Sequence, residues 1–152
     1  MHPDEVVSHE FKVAITWPGE YPGNIGFKDR AGLSLSSPPE FGGQAGSYTP
    51  QELFVSSIAS CYLTTFTFFL NRMKLSVDSL TMEGCGVVEQ VPEGGWRFRE
   101  VMVTMNIRLT NADATAKISR AIELSEKYCM VTRSVSCSTR LEHTINGQKA
   151  PT

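Results

Sequence analysis

Phe11, Val13, Ile15 and Trp17 alternate with Glu10, Lys12, Ala14 and Thr16. That period of two predicts a half-buried strand over residues 10–17, stopped by Pro18-Gly19. Turn residues follow (Pro22-Gly23-Asn24, then Asp29-Arg30-Ala31-Gly32), and Leu33 and Leu35 predict a short strand before Pro38-Pro39. Residues 40–47 read as a loop by composition. The pattern then changes: 18 positions from Leu53 to Leu70 carry no charge. A helix start precedes them, with Thr49 as N-cap, Pro50 at the first helical position and Glu52 closing a capping box. The helix is expected to run to about Met73. Its apolar residues lie nearly all round, which predicts cover on most sides.

Residues 75–89 predict one long or bulged strand, with Gly84 and Gly86 as bend points. After the Pro92–Gly95 turn, Val101, Val103, Met105, Ile107 and Leu109 alternate with Met102, Thr104, Asn106 and Arg108, the clearest strand in the chain. Thr110-Asn111 opens a second helix over residues 112–128, and Asp113 suits its first turn. A last strand is expected from Val135 to Ile145, with Cys137, Thr139, Leu141, His143 and Ile145 on one face. Strands, helix, strands, helix, strand is an α+β order. No internal linker or repeat divides it, so residues 1–152 are read as a single domain.

Composition narrows the classes. At 41% hydrophobic and 20% charged, the chain is neither disordered nor fibrous. A formal net charge of −2 without a basic block argues against nucleic-acid binding. The N-terminal segment lacks the basic start and apolar stretch of a signal peptide, so a soluble, cytoplasmic protein is expected. The uncharged run is at the lower edge for a membrane span. Six of its positions are Ser or Thr, which favours a helix buried in protein and no membrane partner.

Four cysteines stand at 61, 85, 129 and 137, too few for a disulfide scaffold. Spacings of 24, 44 and 8 residues, with His2, His9 and His143 scattered, do not form the close ligand pairs of a zinc site. No metal or other cofactor is expected. Cys61 lies in the apolar helix, where a small buried residue is its bland role. Ile118, Ile122, Ser125 and Cys129 stay within about 60° of one another at 100° per residue, so Cys129 continues the buried face of the second helix. If the helices pack on these faces, the two thiols approach. Cys85 and Cys137 read as ordinary strand residues. Glu52 precedes Cys61 by nine residues, about 180° round the helix and about 13.5 Å along it. Glu52 therefore reaches a Cys61 site only from a second subunit.

Residues 37–43 (Ser-Pro-Pro-Glu-Phe-Gly-Gly), Thr49-Pro50-Gln51-Glu52-Leu53-Phe54 and Ala59-Ser60-Cys61 together resemble the OsmC/Ohr family of osmotically inducible and organic hydroperoxide resistance proteins. The 68-residue spacing from Cys61 to Cys129 suits the family's second cysteine. Met130 stands where the family usually carries proline, which marks a divergent member. The resemblance covers about residues 11–145. It implies an α+β fold, two central helices packed with antiparallel sheets, and an intertwined homodimer with sites at the subunit interface.

It also implies a chemistry: Cys61 as the thiolate that attacks an organic hydroperoxide, and Cys129 as the thiol that captures the sulfenic acid as a disulfide. A dithiol such as a lipoylated protein would be the reductant, and Glu52 would orient an activating arginine from the partner chain. Arg30 is the best candidate for that arginine among Lys12, Lys28 and Arg30; its bland role is a solvated turn. The alternative expectation is a non-enzymatic dimer of the same fold that binds an apolar small molecule, suggested by the run Phe66-Thr67-Phe68-Phe69.

Overall fold

The computed structural model describes residues 6–149. The chain divides between Glu52 and Leu53 into two compact units. In the first, β1 (Ala14–Thr16), β2 (Gly23–Phe27) and β3 (Arg30–Leu35) form an antiparallel sheet in that order. Gly23-Asn24 and residues 30–32 were expected in turns; they lie in β2 and β3 instead, and β2 pairs on both sides with Gly23 and Ile25 buried. The face of Phe11, Val13, Ile15 and Trp17 was expected to be half-buried. It is exposed, Phe11 by 88%. Three strands of this length have too little of their own chain to cover both sides.

Pro39–Phe41 then form one helical turn of the 3-10 kind, closed by the Gly43 N–H on the Pro38 carbonyl at 3.0 Å. At Gly43 a Cβ would collide with the Ser37 carbonyl, so the turn admits glycine alone.

The helix α1 (Pro50–Arg72) starts as its capping box dictates. The Glu52 N–H donates to Thr49 Oγ1 at 3.2 Å, and the Thr49 N–H donates back to Glu52 Oε2 at 3.0 Å. In the second unit β4 (Ser79–Gln90), β5 (Trp96–Arg108), β6 (Ser138–Ile145) and β7 (Gln148–Lys149) make a four-stranded sheet in that order. The pairs β4–β5 and β6–β7 are antiparallel, but β5 and β6 are parallel. A parallel neighbour cannot be reached by a hairpin. Residues 109–137, carrying α2 (Thr115–Tyr128), provide the crossover. The α+β class stands, with a mixed second sheet in place of a wholly antiparallel one.

One apolar core holds this unit. Val101, Val103, Met105 and Ile107 from alternate positions of β5 meet Ile58, Tyr62, Phe66 and Leu70 of α1, and Ile118, Ala121 and Ile122 of α2. The α1 residues recur at i, i+4, a single stripe. Cover nearly all round α1 was the expectation; within one chain only that stripe is fully buried. By length and composition α1 could cross a membrane, with a mean hydropathy of 1.7 over its most apolar window. Four of its hydroxyls are met within the helix. Ser57, Ser60, Thr64 and Thr67 donate to main-chain carbonyls three or four residues back.

Gly84 and Gly86, expected to bend β4, instead sit in regular register with Val103 and Val101. Their role is contact: a Cβ at Gly86 would lie 2.6 Å from Val55 of α1. The bulge falls further on, between Val87 and Val88.

Candidate active site

Cys61 and Cys129 are brought together by the packing of α1 on α2 and the turn that follows it. Cys61 is half-buried at mid-helix. Cys129 is fully buried and ends α2 with an extended main chain (φ −62°, ψ 112°). The buried stripe Ile118, Ile122, Ser125 and Cys129 follows the helical spacing. The residue after α2 turns away from helix, so the thiol is presented toward α1. Both cysteines are free thiols, and each bears on the ionisation of the other.

Their ionisation is split in opposite directions. Burial pushes the Cys61 thiol up, but donors outweigh it: the Val131 N–H, the Cys129 thiol, the Thr65 hydroxyl and the Met130 N–H. The net direction is below the ordinary cysteine value of 9.0. Cys129 goes the other way. Burial raises it, Thr132 counters through its hydroxyl and N–H, and the neighbouring Cys61 raises it further. Within the pair, then, Cys61 ionises first and Cys129 keeps its proton. A thiolate beside a protonated thiol is the pairing that nucleophilic attack followed by disulfide closure requires.

Around the pair lie residues that the sequence reading did not single out. Thr65 is one helical turn from Cys61, a position that i, i+4 spacing marks. Met130, Val131 and Thr132 belong to the turn after Cys129 and have no sequence signal as donors. Tyr62 neighbours Thr139, Cys129, Glu126 and Thr132; burial raises its hydroxyl, and the negative charge of Glu126 pushes the same way. A cavity of about 570 Å³ opens beside Thr65, lined by Thr64, Phe68, Phe69, Leu124 and Tyr128, with Arg72 at its rim. Phe69 packs at 5.2 Å edge-on to Phe68 and 5.8 Å from Tyr128. Such walls suit an apolar chain.

Glu52 and Arg30 have contacts of their own within the first unit. Glu52 is occupied in the capping box, where its carboxylate also accepts from the Thr49 hydroxyl at 2.9 Å. Arg30 opens β3, its guanidinium 5.3 Å over the Phe27 ring. Cys85 is exposed on β4, and Cys137 is half-buried between α2 and β6. Of the histidines, His143 is half-buried, His9 is exposed, and His2 lies outside the described residues. Among the described residues no group of three His, Cys, Asp or Glu is placed to hold a metal ion.

Comparison with known proteins adds a family and a fold. The family described as OsmC-like protein matches residues 42–144. A curated relative, the uncharacterized protein YmaD of Bacillus subtilis, is 25% identical over 142 residues, which span 90% of this chain and 93% of that protein. Among solved structures, an OsmC-like protein of unknown function from Vibrio cholerae superposes with a TM-score of 0.81 at 16% identity, over 90% of this chain and 100% of the other. The organic hydroperoxide resistance protein OhrB of Bacillus subtilis superposes with a TM-score of 0.65 at 18% identity, over 88% of this chain and 98% of the other. At such identities the structural likeness concerns the fold.

Proposed function

The chain belongs to the OsmC-like protein family, and on that premise we propose that it is a thiol peroxidase reducing organic hydroperoxides to alcohols. The observation that carries the reading is the Cys61–Cys129 pair, in which one thiol is eased toward ionisation and its neighbour is held protonated and buried. The Cys61 thiolate attacks the terminal peroxide oxygen. An S–O bond forms, the O–O bond breaks, and the alkoxide leaves as alcohol after taking a proton. Cys129 then attacks the sulfenic sulfur; the S–S bond forms, and hydroxide departs with the Cys129 proton as water. A cellular dithiol, of which a lipoylated protein is one kind, reduces the disulfide by two exchanges and ends as its own cyclic disulfide. Four free cysteines suit a reducing, cytoplasmic setting for this cycle.

The working unit in this reading is a homodimer. It is supported by the exposed apolar face of residues 11–17 and by the uncovered sides of α1, where Phe68 is 57% exposed. Glu52 and Arg30 enter as residues that the second subunit brings to each Cys61 site, as helix geometry requires for Glu52. The apolar cavity supports a substrate with a hydrocarbon body. The same cavity favours a second reading, in which the dimer binds an apolar molecule without turnover.

Cumene hydroperoxide consumption in the presence of a dithiol separates the two. Turnover by the parent and none by Cys61→Ser is expected. Turnover that survives Cys61→Ser refutes the peroxidase assignment, and so does an inert parent protein.

A further inference from the structure

The hairpin from β6 to β7 turns on two residues, Asn146 and Gly147, with Ile145 paired to Gln148. Both turn residues have positive φ, 52° and 79°, as a type I′ turn of a two-residue hairpin requires. Asparagine and glycine adopt that conformation at least cost. The hairpin therefore calls for Asn-Gly, and the chain has no other such pair: Asn24, Asn71, Asn106 and Asn111 precede Ile25, Arg72, Ile107 and Ala112.

Asn146 does more than turn. Its main-chain N–H donates to the Ile107 carbonyl at 2.9 Å, one step beyond the last parallel pair, Ile107 with Ile145. A regular ladder would next take the Leu109 N–H onto the main-chain carbonyl of residue 146. With the chain turned at that residue, the side chain fills the place. The Leu109 N–H donates to Asn146 Oδ1 at 2.9 Å, and Asn146 Nδ2 donates to the Leu109 carbonyl at 3.0 Å. Leu109 is buried and is the first residue of the crossover that carries α2 and Cys129, so an unmet main-chain pair there would be costly. A carboxamide offers an acceptor and a donor together, whereas aspartate has acceptors alone.

The same dipeptide is chemically labile. Glycine has no Cβ to shield its nitrogen. When the Gly147 nitrogen attacks Asn146 Cγ, a C–N bond forms to close a cyclic imide. The bond from Cγ to Nδ2 breaks, and ammonia leaves with the proton from Gly147. Water then opens the imide at either carbonyl, giving aspartate or isoaspartate; no oxidant or reductant enters. Attack needs the carboxamide to swing against Gly147, and its two bonds to Leu109 hold it to the neighbouring strand.

We propose that Asn146 is a latent modification site, guarded by Leu109 and converted to an acid only when this corner of the sheet opens. The conversion is one-way. A carboxylate at 146 sets an acceptor against the Leu109 carbonyl where a donor stood, so the corner does not close again as it was. Converted chains thus accumulate with the time that the corner has spent open. The inference is independent of the thiol chemistry, since no cysteine takes part.

The test follows the full chain at mildly alkaline pH, in native buffer and in urea at matched pH and temperature. Peptide mass spectrometry reads loss of the amide at Asn146, and hydrogen exchange reads the Leu109 N–H. Conversion is expected to be about thirtyfold slower in native buffer, the factor that two ordinary hydrogen bonds withhold from an open state. Equal rates, or faster conversion of the folded chain, would overturn the proposal. Below the urea transition, conversion and Leu109 exchange are expected to rise together while the amide of Val103, in the core of β5, stays protected. Conversion that follows Val103 instead would put the gate in global unfolding and refute a local lock.

Asn146→Asp gives an independent reading. Its Leu109 amide is expected to exchange about tenfold faster than in the parent, the scale of one lost hydrogen bond with its carbonyl left unmet. An unchanged Leu109 rate counts against the lock. Should circular dichroism show that this variant does not fold, parent protein aged to partial conversion takes its place. Converted chains must then exchange faster at Leu109 than unconverted ones in the same sample, and identical rates would again refute the lock.

Discussion

Cys61 is half-exposed and Cys129 wholly enclosed, so on the proposed chemistry an oxidant is expected to reach Cys61 first. Asymmetry of access and asymmetry of ionisation therefore point the same way. Replacing Cys129 by Ser should leave the first attack intact and remove the capture. After one equivalent of hydroperoxide, a dimedone adduct on Cys61 is the expected product in Cys129→Ser, against an inter-cysteine disulfide in the parent, both read by peptide mapping. Recovery of the parent disulfide elsewhere, at Cys85 or Cys137, would contradict the pairing. The pH dependence follows from the direction of the Cys61 shift. Since its thiolate persists below the ordinary cysteine value, hydroperoxide consumption should fall only as pH drops through that lowered midpoint. A rate that climbs with the ionisation of an ordinary thiol would argue against the arrangement.

The elements carry the site through their caps and close contacts. Thr49 and Glu52 satisfy the donors at the start of α1, and Thr49 is buried while doing so. Thr49→Ala is expected to cost about 1 kcal/mol of stability, the usual value of an N-cap, measured as a fall in the urea midpoint. Phe66 is fully enclosed in the stripe that fastens α1 to β5. Truncating it to Ala should cost about 3–5 kcal/mol through lost transfer energy and the cavity left behind.

At the scale of the whole molecule, His143 gives stability a pH dependence. Its Nε2 is buried without a hydrogen-bond partner, and burial lowers its folded pKa below the ordinary 6.5. The unfolded chain then takes up a proton that the folded chain resists. Stability from this group is complete above about pH 6.5 and declines as pH falls below it, through the folded midpoint. Urea midpoints should therefore drop between about pH 7.5 and about pH 5, and His143→Gln should flatten that trend. The apolar surface of residues 11–17 and α1 belongs to this scale too. Sedimentation equilibrium is expected to give twice the 16.8 kDa chain mass; a stable monomer would refute the dimeric unit.

Local chemistry alone determined the start of α1, the strand 101–109 alternation, the 3-10 and helical onset at Asn111, and the buried stripe that ends on Cys129. Each depends on residues within a turn or two of one another, where capping and periodicity act directly. Other features were decided only by tertiary structure. The pairing of β2, the parallel join of β5 to β6, and glycines that admit Val55 rather than bend a strand all depend on what packs beside them. So does the ionisation of Cys61. Helical arithmetic put Cys129 on the buried face of its helix and left its meeting with Cys61 conditional on how the helices pack, and the amides of Met130 and Val131 carry no side-chain signature. Every residue except proline has such an N–H, and only the fold decides which of them act on Cys61.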